Sequence, residues 1–111
     1  MSVSDDQIAH ALELFDDVGP LTTRKMMGGL CIYSDGTIFC IIHADHGIMI
    51  KGKGDFIAEL EELGCTRWTY TRDRGDKAGG PTGMPYWTLP DSAQDDPAEA
   101  TALARRALSF L

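Results

Sequence analysis

No stretch of this chain approaches the ~20 consecutive apolar residues that a membrane-spanning helix needs. The opening residues, Met1-Ser2-Val3-Ser4-Asp5-Asp6, hold neither a basic region nor an apolar run. No signal peptide is expected there, and the expected compartment is the cytoplasm. Cysteine is scarce: Cys31, Cys40 and Cys65 are odd in number and far apart, with no Cys-x-x-Cys pair of the kind structural zinc uses. Each has an apolar neighbour, so buried free thiols packing as small hydrophobes are expected. Cations are outnumbered, with ten Lys and Arg against seventeen Asp and Glu, for a net charge of −7 at pH 7. A stand-alone nucleic-acid binder usually shows a basic surface, because phosphate neutralisation supplies most of its non-specific affinity, so that role is not favoured.

Catalytic signatures are missing too. There is no Gly-x-Ser-x-Gly, and Ser34 and Ser92 both read as turn residues. Cys40 and His43 are close in sequence, but their odd spacing in one strand directs them to opposite faces. Met27-Gly28-Gly29-Leu30 and Gly52-Lys53-Gly54 lack both the phosphate-loop pattern and the strand-to-helix context of a dinucleotide fingerprint. His43-Ala44-Asp45-His46 offers two imidazoles and a carboxylate, the donor types of a zinc or nickel site. Nothing in the sequence brings a third strong ligand near, and the preferred reading is a solvated turn. No catalytic, cofactor or metal residues are therefore assigned, and the chain is expected not to be an enzyme.

What is present is a well-punctuated alternation of elements. At 111 residues, a single domain over 1–111 is expected, long enough to fold around one core. Ser4-Asp5-Asp6-Gln7 has the form of a capping box, and Ile8, Ala11, Leu12 and Phe15 follow at helical spacing. That helix is predicted to stop near Val18, before Gly19-Pro20. A short strand at Thr23–Met27 is followed by Ile32-Tyr33 and Ile38–Ile42, which flank Ser34-Asp35-Gly36, an Asp-Gly hairpin tip. A turn at Ala44–Gly47 leads to Ile48–Lys51. The Ile38–Ile42 strand is apolar on both faces, so it belongs in the sheet centre with something covering each side. Asp55 is the predicted cap of a helix carrying Phe56, Ile57, Leu60 and Leu63, ending at Gly64. Trp68 and Tyr70 alternate with Arg67, Thr69 and Thr71 as in a half-exposed strand. Arg72–Gly83 reads as a Gly-rich loop, and Met84–Leu89 as a last strand with Pro85 at an edge or a bulge. Asp96, Pro97 and Glu99 open a final helix whose buried face is Leu103, Ala104, Ala107, Leu108 and Leu111. The order fits α+β: an antiparallel sheet, made of a meander plus a C-terminal hairpin, flanked by N-terminal, middle and C-terminal helices.

Four ordered segments resemble the N-terminal domain of the TfoX/Sxy competence-regulator family. They are Arg24-Lys25-Met26-Met27-Gly28-Gly29, Tyr33-Ser34-Asp35-Gly36, Ile50-Lys51 and Met84-Pro85-Tyr86-Trp87 before a terminal helix. The commonest family form has Phe where this chain has Met27. The resemblance spans nearly the whole chain and implies helices packed on an antiparallel sheet, similar to secretion-chaperone-like domains. It further implies a bacterial adaptor that regulates transcription of DNA-uptake genes through protein contacts, with the transcription machinery as partner class. Full-length regulators continue into a helical C-terminal domain; with an end at Leu111, the N-terminal domain alone is expected. A homodimer is the expectation by analogy with secretion-chaperone-like folds. The candidate interaction surface is Arg24, Lys25, Lys51, Tyr86 and Trp87, although for Tyr86 and Trp87 an anchoring role against a helix is preferred. Two alternatives stand beside this one. The first is nucleic-acid contact through the basic and aromatic segment of Arg67, Trp68, Tyr70, Arg72, Arg74 and Lys77. The second is a metal or thiol enzyme using His43, His46 or Cys65.

Overall fold

Ser4 begins the first helix by the reciprocal bonds that its spacing to Gln7 allows. The Gln7 N–H donates to Ser4 Oγ at 3.2 Å, and the Ser4 N–H donates to Gln7 Oε1 at 2.9 Å. The computed structural model describes residues 3–26, 29–44, 46–70 and 82–111. Helix α1 (Asp5–Leu14) is followed by a 3-10 turn over Asp16–Val18, so the α-helix ends earlier than the Gly19-Pro20 signal suggested. Strands β1 (Leu21–Met26), β2 (Gly29–Ser34), β3 (Thr37–His43) and β4 (Gly47–Lys51) form the antiparallel meander. At the β2–β3 tip, Asp35 and Gly36 have φ of 51° and 79°, the two positive values that a tight I′ turn requires.

Helix α2 (Phe56–Glu62), β5 (Arg67–Tyr70), β6 (Thr82–Thr88), α3 (Asp91–Gln94) and α4 (Pro97–Leu108) complete the chain. Asp55 makes no side-chain cap to α2, contrary to expectation; its backbone is already helical, which turns the carboxylate away from the free N–H groups. Asp96 does cap α4, its Oδ1 accepting from Ala98 and Glu99 at 3.1 and 3.3 Å. The short α3 was not foreseen, since four residues show no periodicity.

The fold is α+β. Its sheet has six antiparallel strands in the order β1-β2-β3-β4-β6-β5, so the last strand inserts between β4 and β5. Pro85 therefore lies in an interior strand, not at an edge. It is tolerated because the β5–β6 register shifts there: Arg67 faces Trp87 while Thr69 faces Gly83. Arg67 Nε donates to the Met84 carbonyl at 2.9 Å and satisfies a group the ladder misses. Strand β3 is interior as expected, with α1 and α4 packed on one of its faces.

That helix-covered face holds the main core, which includes Phe15, Ile32, Phe39, Cys40, Ile42, Ile50, Phe56, Leu60 and Trp87. Trp87 has no exposed surface, and Gly52 lies directly on its six-membered ring. A Cβ at Gly52 would sit 2.7 Å from Trp87 Cζ3 and 3.0 Å from Leu60 Cδ1. Gly29 is equally constrained, because a Cβ there would overlap the Ile42 carbonyl oxygen on the neighbouring strand. This close approach of strands is the reason for glycine at position 29; Gly28 lies outside the described residues. Across α2 and α4, Arg106 and Glu59 form an exposed bidentate pair, with N–O distances of 2.9 and 2.8 Å. No helix among the described residues is long and apolar enough to cross a membrane.

Overpacking a filled core costs about 1–3 kcal/mol, so Gly52→Ala is expected to lower stability by about 2 kcal/mol and Gly29→Ala by about 3, since a backbone carbonyl cannot move aside. Urea denaturation of each variant measures this. Trp87→Phe shortens the ring system that Gly52 faces, so the Gly52→Ala cost should shrink in that background. Strict additivity in the double-mutant cycle would show that the Trp87 ring is not the obstacle.

Candidate functional site

The five candidate surface residues do not form one patch. Register places Arg24, Cys31, Ile41 and Met49 in one row across the sheet, and Lys25, Leu30, Ile42 and Ile48 in the next. Side chains alternate between faces along each strand, so neighbouring Arg24 and Lys25 point to opposite sides. Lys25 lies on the helix side, lining a groove of about 240 Å³ with Val3, Asp5, Ile8 and Leu30. Arg24 shares the other face with Lys51 and Tyr86, which pair across β4 and β6. Lys51 is three strands from Arg24, about 14 Å at ordinary strand spacing. Arg24 and Lys25 are exposed on the edge strand, Lys51 is half-buried, and Tyr86 and Trp87 are 7% and 0% exposed. Arg24 and Lys25 are thus the outermost of the five, while Trp87 belongs to the core.

The face away from the helices has its own apolar cluster. Ile41, Met49 and Tyr86 are buried in it, with Met26, Cys31, Ile38, Trp68 and Met84 packed around them. Trp68 starts on β5, yet its ring lies 5.3 Å from that of His43 on β3 and 5.8 Å from that of His46 in the β3–β4 turn. The rings meet over β6 and β4, the strands between β5 and β3, with Tyr86 of β6 at 6.5 Å from Trp68 between ring centroids. Gly47, which pairs with His43 and has no side chain, leaves room at this end of the face. The sequence reading missed this grouping. His43 and His46 were visible as a turn pair, but Trp68 reaches them only because β6 inserts beside β4.

Burial governs the ionisable groups of this region. Cys31 has its thiol pushed up by burial, partly opposed by a hydrogen bond with Tyr33 and the charge of Arg24. Burial raises Cys40 far more, and Tyr86 to about 12. Cys65 is raised by burial as well. Raised thiols are weak nucleophiles at neutral pH. All three cysteines are free, but only Cys40 is buried; Cys31 and Cys65 are half-buried, which corrects the expectation for those two. Cys31 is on β2, between β1 and β3, on the face that carries no helices, and Cys65 lies in the connection between α2 and β5. Cys40 packs in the helix-side core, whereas His43 contacts Trp68 on the other face.

A second groove, of about 400 Å³, runs between the end of α2 and the β6–α3 connection, lined by Leu63, Cys65, Thr66, Thr88 and Asp91 among others. Leu63, 51% exposed, stands at its rim. His10 is exposed and donates from Nε2 to the Gln94 carbonyl at 3.0 Å. No group of three or more His, Cys, Asp or Glu side chains able to hold a metal occurs among the described residues. The Gly-rich loop, with Arg72, Arg74 and Lys77, lies outside the described residues, as does Asp45.

With this geometry established, comparison with known proteins gives a consistent assignment. The family model described as TfoX N-terminal domain matches residues 13–111. The chain belongs to that family. It is also similar to the DNA transformation protein TfoX1 of Aliivibrio fischeri, 25% identical over 76 residues, which cover 65% of this chain and 36% of the relative. The chain thus spans about a third of that relative's length.

The raised acids fix the sign of an alkaline response. Cys40 and Tyr86 stay protonated in the fold while the unfolded chain ionises them, so the unfolded state binds fewer protons and stability falls as pH rises. The decline should begin at about pH 8.5, the ordinary thiol value, and steepen near 10 as tyrosine joins, approaching about 1.4 kcal/mol per pH unit per group. Urea midpoints from pH 7 to 11 test this. Cys40→Val should flatten the first part of the curve, and an unchanged slope would show that Cys40 is not its source.

Proposed function

We propose that this domain is a non-enzymatic adaptor that regulates DNA-uptake genes through protein contacts made at its β1 edge. The reading is carried by the family match over residues 13–111 combined with the place of Arg24 and Lys25, which stand exposed on an edge strand. An edge strand offers unpaired N–H and C=O groups to which an extended segment can add. Two cations on such an edge favour an acidic segment, and their opposite directions let one segment be gripped on both faces of the sheet. The transcription machinery of a bacterial cytoplasm is the partner class this reading assigns. DNA transformation is named in the relative, and its extension to this chain is part of the proposal.

Reversing both charges, Arg24→Glu with Lys25→Glu, tests the reading in a strain lacking its own copy of the gene. The wild-type chain should restore DNA-uptake transcripts, and the double variant should fail to, with partner binding weakened about tenfold or more. Both side chains are exposed, so thermal stability should stay within about 0.5 kcal/mol of wild type. Full restoration of transcripts by the double variant would refute the β1 edge as the contact.

A further inference from the structure

We propose that His43 and His46 form a binding site for a borderline divalent transition-metal ion, Cu²⁺ or Zn²⁺, with Trp68 as its wall. This goes beyond the adaptor reading and does not depend on it. The two imidazole centroids are 4.9 Å apart with their planes inclined by 44°. With one nitrogen of each ring turned to a shared ion at about 2.0–2.1 Å, the ion would lie about 3.2 Å from each centroid, and the 4.9 Å separation would correspond to an angle of about 100° at the metal. That angle suits tetrahedral Zn²⁺ or tetragonal Cu²⁺. A linear arrangement would need about 6.4 Å between the rings, so two-coordinate Cu⁺ does not fit.

Imidazole nitrogen selects the same ions, since Mg²⁺ and Ca²⁺ demand oxygen ligands. The chain supplies two donors, and water fills the remaining positions. Each ring uses one nitrogen for the metal, which leaves the other for the hydrogen bond that orients a ligating histidine. Three structural features hold the pair in place. His43 is fixed by the β3–β4 ladder, the turn returns the chain at Gly47 with φ of 72°, and Trp68 packs against both rings.

Calorimetric titration of the full chain with Cu²⁺ and with Zn²⁺, followed in parallel by tryptophan fluorescence, tests the site. One equivalent should bind saturably, Cu²⁺ more tightly than Zn²⁺. His46→Gln and His43→Gln should each weaken binding at least about tenfold, and His10→Gln should leave it unchanged. His46 is exposed, so its variant keeps the fold, which a thermal melt verifies. Trp68→Phe should retain the affinity and lose the Cu²⁺ quenching. Wild-type affinity in His46→Gln, the absence of saturable binding, or full quenching in Trp68→Phe would each overturn the proposal.

Discussion

Trp87 resting on the bare backbone of Gly52 is the contact around which the other layers are arranged. A tryptophan buries roughly 150–250 Å², on the order of 4–6 kcal/mol of gross apolar stabilisation, and here all of it lies under the helices. The ring fits because Gly52, the residue that follows β4, has no side chain; its N–H donates to the Pro85 carbonyl at 3.1 Å. The same packing draws β6 against β4 and carries β5 to the sheet margin. There Arg67 places its guanidinium 4.8 Å from the centre of the Trp87 ring. A cost accompanies this: the buried Trp87 Nε1 has no acceptor among the described residues.

The inserted strand gives the sheet two different faces. Helices α1 and α4 cover one, and the bulge between Ile32 and Tyr33 lets Phe39 and Cys40 both contribute to that core. The other is closed by long side chains of the sheet itself, above all Trp68, whose ring meets those of His43 and His46 at the β3–β4 end. The face is thus an apolar strip with Arg24 on one margin and the two imidazoles at one end. The proposed partner contact and metal site occupy different parts of this framework. The first uses the free edge of β1, the second the far end of β3, and neither disturbs Trp87.

Much of the architecture was legible in the chain. The Ser4 capping box, the Asp35-Gly36 tip, the Asp96 cap and the Gly64 stop each depend on contacts within a few residues, and each occurs in the structure. Expectations that depend on backbone conformation or tertiary placement were met less often. Asp55 was a reasonable cap by type but its backbone has the wrong conformation. Pro85 was placed at an edge or bulge, and only the bulge holds, because β6 pairs on both sides. The candidate surface was assembled from motif residues that share a sequence pattern. The sheet separates them by face and depth, leaving Arg24 and Lys25 outermost.

The sequence by itself determined most of the elements, their order and the α+β class, because those follow from local capping, turn chemistry and periodic apolar residues; the family was legible in four ordered motif segments. Tertiary structure alone decided that β6 enters between β4 and β5, that Gly52 and Gly29 are glycines for want of space, and that Trp68 meets His43 and His46. These are contacts between residues far apart in the chain, and they exist only once strand pairing has fixed which backbones lie side by side.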